Sequence, residues 1–342
     1  MSKLRVAVLM GGLSSERAVS LSTGKMILES LDKTKYDVMP VDPAIFAGSV
    51  RRILPGSETE VAAIAEVEKG LASISPMYSI TDVAGRADVA FIALHGKYGE
   101  DGAVQGMLEL LGIPYTGSGV LASALAMDKI MSKRVLMAAG VPAPVSVDFT
   151  RKAELENICL KDAVAPLGYP VIVKPSRQGS TIGMRKVESE NELESAVEEA
   201  FRYDSHVLIE QFICGTEITV GVLGNSDPEV LPIIEIVPAK GFYDYEAKYT
   251  PGATEEIVPA RIPGQTAEKA RKLALASHKA LGCRGMSRVD MIVKPDGEIV
   301  VLEVNTIPGM TPTSLLPTAA KAAGIEFPGL LDRLIQLALE EE

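Results

Sequence analysis

The stretch Arg288–Ser314 reads RVDMIVKPDGEIVVLEVNTIPGMTPTS, and its reading decides the fold. Two apolar, β-branched runs flank Pro295-Asp296-Gly297-Glu298. Asp-Gly between such runs is a strong hairpin signal, because both residues tolerate φ > 0. With Asp296 and Gly297 as a two-residue turn, Asp290 falls opposite Glu303 and Arg288 opposite Asn305. Residues two apart in a strand share a face. Arg288, Asp290, Glu303 and Asn305 are therefore expected to form one polar square, with Val289, Met291, Leu302 and Val304 packed on the other face. Two carboxylates and an amide oxygen are hard ligands suited to Mg²⁺, which also keeps waters and takes phosphate oxygens. A guanidinium beside them suits a transferring phosphoryl group or a developing oxyanion. The plain alternative is a solvated hairpin face, where Asp, Glu and Arg mostly sit. The following residues weigh against it. Ile307-Pro308-Gly309-Met310-Thr311 is a tight turn whose N–H groups can grip an anion. Ser314 then opens a helix, where donors also face anions.

The totals narrow the class. A chain of 342 residues suggests two or three domains. With 47% hydrophobic residues it can bury a core. A net charge of −11 argues against a nucleic-acid surface or an anionic membrane as partner. Cys159, Cys214 and Cys283 have neither pairing nor metal spacing, which fits a reducing compartment. The apolar run Val6–Met10 is too short for a signal peptide, and no run reaches the ~18 residues of a membrane span. A cytoplasmic location is the expectation.

Upstream, Arg5 to Met10 reads as a buried strand, followed by Gly11-Gly12 and an amphipathic helix to about Leu31. The glycines lack the full G-x-G-x-x-G pattern, so a dinucleotide site is disfavoured. Glu16, at the helix start, stays ionised there and could hold a substrate ammonium; an ordinary first-turn Glu is the commoner case. Tyr36–Val41 and Asp88–Leu94 read as further strands. Residues 43 to 84 are least legible, with a helix expected around Glu58–Leu71. His95-Gly96-Lys97-Tyr98-Gly99-Glu100-Asp101-Gly102 is a glycine-rich loop directly after a strand, where open α/β sheets bind ligands. A helix from Ala103 to Leu111 and the segment Ile113–Gly117 close the first domain.

Helices then run over Gly119–Met127 and Asp128–Ala139. Tyr169–Pro175 and Met184–Val187 are strands around Ser176-Arg177-Gln178-Gly179-Ser180-Thr181-Ile182-Gly183. That turn, with Lys174 at its base, can cradle phosphates through backbone N–H groups. It is not a Walker A sequence, and a plain hairpin loop is the alternative. Ser189 and Glu192 read as a capping box. Val207–Ile213 is a strand whose connector can present Glu210 and main-chain groups to a base edge. Pro238 to Pro259 holds Tyr243, Tyr245 and Tyr249, a third of the chain's 9 tyrosines, and little periodicity. It reads as a lid. Thr266 is expected to cap a helix to Leu281, and a last helix presents Leu330, Leu331, Leu334, Ile335 and Ala338 to the domain.

The strings HGKYGEDG, KPSRQGSTIGM, FYDYEAKY and the opening stretch, in this order, resemble the ATP-grasp superfamily and within it the D-alanine–D-alanine ligase family. The resemblance covers nearly the whole chain except residues 43 to 84. It implies an α/β and α+β, three-domain ATP-grasp fold. Residues 1–118 would be an open α/β sheet binding the first substrate. Residues 119–213 and 214–342 would be two α+β domains clasping ATP, the first with the glycine-rich phosphate loop, the second with the metal site and the lid 238–259. It also implies roles. Lys129, Lys174 and Lys248 would bind phosphates, Glu210 and the backbone near Ile213 adenine, and Glu217 the ribose. Asp290, Glu303 and Asn305 would hold two Mg²⁺ or Mn²⁺ ions, with a monovalent cation as an optional third. Glu16 would fix the first D-alanine's ammonium, bonded through Ser180 to Tyr249, with His95 beside its carboxylate. Arg288 and Gly309 would stabilise the oxyanion, and Ser314 and the Leu315 amide would hold the second substrate. A homodimer follows by the same resemblance.

Three competing readings stay open. In the family that the chain resembles, tyrosine at the position of Tyr249 accompanies D-alanine and phenylalanine D-lactate. The resemblance therefore implies D-alanine as second substrate, with a D-alanine–D-lactate or D-alanine–D-serine ligase as the alternative. Another ATP-grasp carboxylate–amine ligase would share the ATP and Mg²⁺ residues but need not have Glu16, Tyr249 and Ser314 together. A non-catalytic nucleotide-binding module would have lost a metal carboxylate or the lid lysine, and neither is missing.

Overall fold

The computed structural model describes residues 2–46, 77–150, 159–239 and 252–340. The expected helix at 58–71, together with Lys248 and Tyr249, lies outside them. Among the described residues the strands form three sheets. In the first, β1 (Leu4–Leu9) lies between β2 (Tyr36–Val41) and β3 (Val89–Ile92), all parallel. Val6 to Met10 are 0% exposed, which suits a parallel strand covered on both faces. Helix α1 (Arg17–Ser30) follows β1. The loops after β1 and β3 both open at the carboxyl edge of this sheet, where ligand sites form in α/β folds.

Helix α2 (Ala103–Leu110) leads to α3 (Val120–Met127) and α4 (Lys129–Ala138). The second sheet holds β4 (Ser146–Phe149), β5 (Val171–Pro175), β6 (Arg185–Val187) and β7 (Val207–Gln211), antiparallel in the order β4-β7-β5-β6. Helix α5 (Glu190–Ala200) covers it with Leu193, Ala196, Val197 and Ala200. No Ser189 side-chain cap forms. Ser189 Oγ turns to the Glu192 carboxylate instead (3.2 Å), so the expected capping box is absent.

The third sheet runs β11-β10-β8-β12-β13, with β9 on β8. Its strands are β8 (Thr216–Gly224), β9 (Glu229–Val230), β10 (Ile234–Pro238), β11 (Thr254–Ile257), β12 (Gly285–Val293) and β13 (Ile299–Asn305). β11 pairs with β10, so part of the stretch expected to be an irregular lid is an edge strand. Helix α6 (Gly264–Ala280) is capped at Pro263, not Thr266, which sits inside its first turn. Gly282 ends it at φ +70°, a conformation glycine adopts without penalty. α6, with residues of α3 and α4, packs on Val289, Met291 and Val301 in one core. Burying such a side chain contributes roughly 1.5–3 kcal/mol.

Helices α7 (Leu315–Ala322) and α8 (Phe327–Leu339) end the described chain. Leu330, Leu331, Leu334 and Ile335 of α8 share a core with β1 and β3. Lys35 also reaches Asp332 on α8 (3.1 Å). The last helix therefore covers the first sheet, which ties the chain's two ends together.

The hairpin carries the main correction. Gly297 N–H bonds the Lys294 carbonyl (2.9 Å) and Lys294 N–H bonds Glu298 (2.7 Å), with Gly297 at φ +82°. The loop is thus Pro295–Gly297, three residues closed by a left-handed glycine, not a two-residue turn. Val293 pairs with Ile299 and Met291 with Val301, one residue out of the expected register. A bulge between Asp290 and Met291 then restores it, giving Asp290↔Glu303 and Arg288↔Asn305. Leu302 is the extra residue. It lines a cleft, and Val301 takes its place in the core.

Candidate active site

The three sheets meet around one cleft of about 1030 Å³. All the described residues singled out from the sequence line it: Glu16, His95, Lys129, Lys174, Ser180, Glu210, Ile213, Glu217, Arg288, Asp290, Glu303, Asn305, Gly309, Ser314 and Leu315. They come from every part of the chain, so their convergence is a property of the fold and not of local sequence.

The polar square forms one wall. Arg288 grips Asp290 in a two-pronged pair, Nε to Oδ1 at 2.9 Å and Nη2 to Oδ2 at 2.8 Å. Thr219 Oγ1 donates to Asp290 Oδ1 (2.6 Å) and Asn305 Nδ2 to Oδ2 (3.3 Å). With its nitrogen turned to Asp290, Asn305 keeps an amide oxygen as a hard donor. Glu303 stands 3.8 Å from Lys129 Nζ. Among the described residues no three His, Cys, Asp or Glu form a cage for a metal. Two carboxylates and an amide fit an ion that completes its shell with phosphate oxygens and water, as Mg²⁺ does.

The cationic side is built from α4 and the second sheet. Lys129 Nζ donates to the Gln178 carbonyl (2.7 Å), which ties the helix to the glycine-rich turn. Asp128 caps α4 by accepting from Ile130 and Met131. Lys174 and Lys133 both bond the buried Glu210 carboxylate, the latter at 2.8 Å. Burial alone would push that carboxyl up, but the two ammonium groups overcome it and hold it below the usual carboxylate range. Lys133 is held below the usual lysine value by burial. Sequence reading missed Lys133, although it follows Lys129 by four residues and so shares its helix face.

Glu16 is placed by a buried scaffold. Arg17 Nη2 pairs with Asp42 (2.7 Å), and Asp42 Oδ1 accepts from Gly12 N–H (3.0 Å) and Ala44 N–H (2.9 Å). Ser14 Oγ donates to the His95 carbonyl (2.6 Å), which joins the loop after β1 to the loop after β3. The Glu16 carboxylate accepts from Ser180 Oγ, as expected. Ser180 and Thr181 both have positive φ, 50° and 58°. For a β-branched residue such as Thr181 this conformation is rare and costs energy, and such strain concentrates at ligand sites.

His95 is buried, and Thr23 Oγ1 lies 3.3 Å from its Nε2. Burial holds its imidazole below the usual value, against the pull of Glu16, so it is neutral near pH 7. Glu100 was overlooked within HGKYGEDG. Its Oε2 accepts from Gly96 N–H (2.6 Å) and it lines the cleft, whereas its neighbour Asp101 turns away to accept from Tyr98 and Ala103 N–H. Glu256 on β11 also lines the cleft and is held above its usual value by burial.

At the far end, Ser314 precedes α7 and its Oγ accepts from Thr311 N–H (3.1 Å). A Cβ on Gly309 would stand 3.0 Å from that Oγ. The Gly309 turn and the start of α7 thus lie side by side, with helix N–H groups available to an anion. Chemically the cleft offers a phosphate-binding side, a hard-metal wall, an ammonium partner and an oxyanion corner.

Known proteins resemble this chain in sequence and fold. The chain matches the family models described as D-ala D-ala ligase N-terminus over residues 5–118 and D-ala D-ala ligase C-terminus over residues 135–336. A D-alanine–D-alanine ligase of Pelotomaculum thermopropionicum is 47% identical over 340 residues, covering 98% of this chain and 97% of that protein. The D-alanine–D-alanine ligase of Bacillus anthracis complexed with ATP is 39% identical at a TM-score of 0.76, covering 98% of this chain and 97% of that one. The VanG D-Ala:D-Ser ligase of Enterococcus faecalis is 36% identical at a TM-score of 0.80, covering 98% of this chain and 100% of that one.

Proposed function

The chain belongs to the D-alanine–D-alanine ligase family, and on that premise we propose that it joins two D-alanines in an ATP-dependent reaction, through an acyl phosphate, to make D-alanyl-D-alanine for cell-wall precursors. The observation that carries this reading is the convergence in one cleft of the Arg288–Asp290–Glu303–Asn305 wall with the Glu16–Ser180 contact. A mere nucleotide-binding module needs the first and has no use for the second. In this reading residues 1–118 bring the first amino acid, and residues 119–213 and 214–342 clasp the nucleotide, with 238–259 as lid.

The first D-alanine sets its ammonium on Glu16, which Ser180 and, in the full constellation, Tyr249 hold in place. Its carboxylate points to Arg288 and the Gly309 N–H, beside the neutral His95. A carboxylate oxygen attacks the γ-phosphorus of ATP, the bond to the ADP oxygen breaks, and ADP carries away the displaced charge. Lys129, Lys174 and Lys248 neutralise phosphate oxygens, so positioning and electrostatics supply most of the catalysis. Asp290, Glu303 and Asn305 would hold Mg²⁺ or Mn²⁺, which when bound adds further positive charge against those oxygens. Glu210 and the backbone at Ile213 take adenine, and Glu217 the ribose. The second D-alanine anchors its carboxylate at Ser314 and the Leu315 N–H. Its free amine attacks the acyl carbon, the oxyanion rests against Arg288 and Gly309, and the C–O bond to phosphate breaks. The amine's proton passes to solvent.

Among the described residues no helix is long and apolar enough to cross a membrane. We read the protein as a cytoplasmic homodimer without nucleic-acid or membrane partners. The direct test is phosphate release from ATP with D-alanine, L-alanine, D-serine and D-lactate, with products identified by mass. D-alanyl-D-alanine should dominate. Absence of product with D-alanine, or preference for the L-form, overturns the reading.

A further inference from the structure

Gly96 stands between two acidic side chains. On one side its N–H bonds Glu100 Oε2 at 2.6 Å. On the other, a Cβ placed on it would lie 2.5 Å from Glu16 Oε2. Its φ of +68° permits this close approach. Glu16 has Ser180 and an assigned task. Glu100 has neither in the reaction described above, yet it lines the same cleft.

The charged groups around Glu100 come from three elements. Glu16 approaches from the loop before α1, Lys129 from the first turn of α4, and Arg288 from β12. Burial, and then the charge of Glu16, push the Glu100 carboxyl up to about 8, against Arg288 and Lys129. Near pH 7 the Glu100 carboxyl is therefore largely protonated. Two ionised carboxylates so close would repel each other and draw in solvent cations. A cation entering between them removes the repulsion and favours the ionised form of both.

We propose that Glu100 is a second substrate-binding carboxyl, which with Glu16 flanks Gly96, closes the ammonium pocket of the first amino acid, and loses its proton to solvent as the ammonium enters. The inference rests on the reading of Glu16 as the ammonium partner. It makes binding of a primary ammonium, and not of any small carboxylate, the event that completes the charge of the pocket. Arg288 and Lys129 then face the carboxylate end of the same molecule.

Calorimetry tests this with D-alanine titrated into the enzyme with Mg²⁺ and a non-hydrolysable ATP analogue, in two buffers of different ionisation enthalpy. The wild-type chain should release more protons than Glu100→Gln at pH 7, and the difference should shrink as the pH is raised to 9. A proton lost by the second amine cancels in that difference. Glutamine keeps the amide oxygen that accepts from Gly96 N–H, so the loop should hold. The variant's KM for the first D-alanine should rise ~10- to 100-fold, as for loss of one hydrogen bond to a charged group, with kcat and the second KM little changed. Equal proton release by the two proteins, both forming dipeptide, overturns this inference alone, as does an unchanged first KM. A wild-type chain that forms no dipeptide overturns the ligase reading itself.

Discussion

Arg288→Ala separates the chemical from the structural use of one side chain. The guanidinium spans both oxygens of Asp290, and the two side chains are only 14% and 10% exposed. Truncating one member of a buried pair costs ~3–5 kcal/mol when the other is stranded. Here Asp290 keeps Thr219 Oγ1 and Asn305 Nδ2 as donors, and the cleft lets water replace the lost partner. The expected loss of stability is therefore about 1–2 kcal/mol, and the variant stays folded. Loss of one oxyanion donor lowers the rate by ~10²–10³. A third effect has the opposite sign. Arg288 neutralises a carboxylate that would serve the metal, so its removal should tighten Mn²⁺ binding to the enzyme–ADP complex. Arg288→Lys should recover only part of the rate, because one ammonium cannot span both oxygens. The assays are phosphate release, urea unfolding, and Mn²⁺ titration by electron paramagnetic resonance. A folded variant within ~10-fold of the wild-type rate refutes the argument. So does Mn²⁺ binding that weakens along with the rate.

Two further perturbations test other parts of the structure. Gly96→Ala places a Cβ 2.5 Å from Glu16 Oε2 at a φ of +68°. It should raise the first D-alanine KM more than ~10-fold and lower stability by ~1 kcal/mol; a wild-type KM would show that Glu16 does not depend on this contact. His278 is buried between α6 and β12, its Nδ1 2.8 Å from Ser287 Oγ, and burial lowers its pKa to about 4. The unfolded chain binds this proton near 6.5, so the folded state is favoured above that pH and loses the advantage as pH falls towards 4. Between pH 8 and 5 this group should remove about 2 kcal/mol. Urea unfolding of His278→Gln should show a pH dependence smaller by that amount, and equal dependences would exclude the assignment.

What the sequence could and could not reveal follows from the range of the interactions. Strand β1 was legible because a parallel strand buried on both faces must be apolar throughout, and Val6–Met10 is. The turn at residues 176–183 was legible from its glycines and hydroxyls. The buried partners were not. Nothing local to Asp42 announces that it receives Arg17, and adjacent acids Glu100 and Asp101 look alike until the turn sends one into the cleft and the other onto backbone N–H groups. The Thr266 cap failed for a related reason. A good capping residue was present, but the chain entered α6 three residues earlier, at Gly264 with Pro263 in the cap position.

At the hairpin a wrong turn length still led to the observed pairing of Asp290 with Glu303 and Arg288 with Asn305. The three-residue loop alone would set Asp290 opposite Leu302 and Arg288 opposite Val304. Glu303 and Asn305 would then face the core, because a slip of one residue moves every later side chain to the other face. That arrangement buries a carboxylate and an amide beneath α6 and turns Val304 to solvent. The bulge at Leu302 removes the conflict by spending one residue without a partner, and the pairing Asp290↔Glu303 returns. Its position is therefore set from both sides: the turn fixes the register below it, and the need to keep Glu303 in the cleft fixes the register above. The displaced leucine is not wasted space, since it supplies apolar surface to the same cleft wall that carries the acids. A bulge so placed gives the sheet an apolar patch and a polar square on one face, which period-two alternation alone cannot provide.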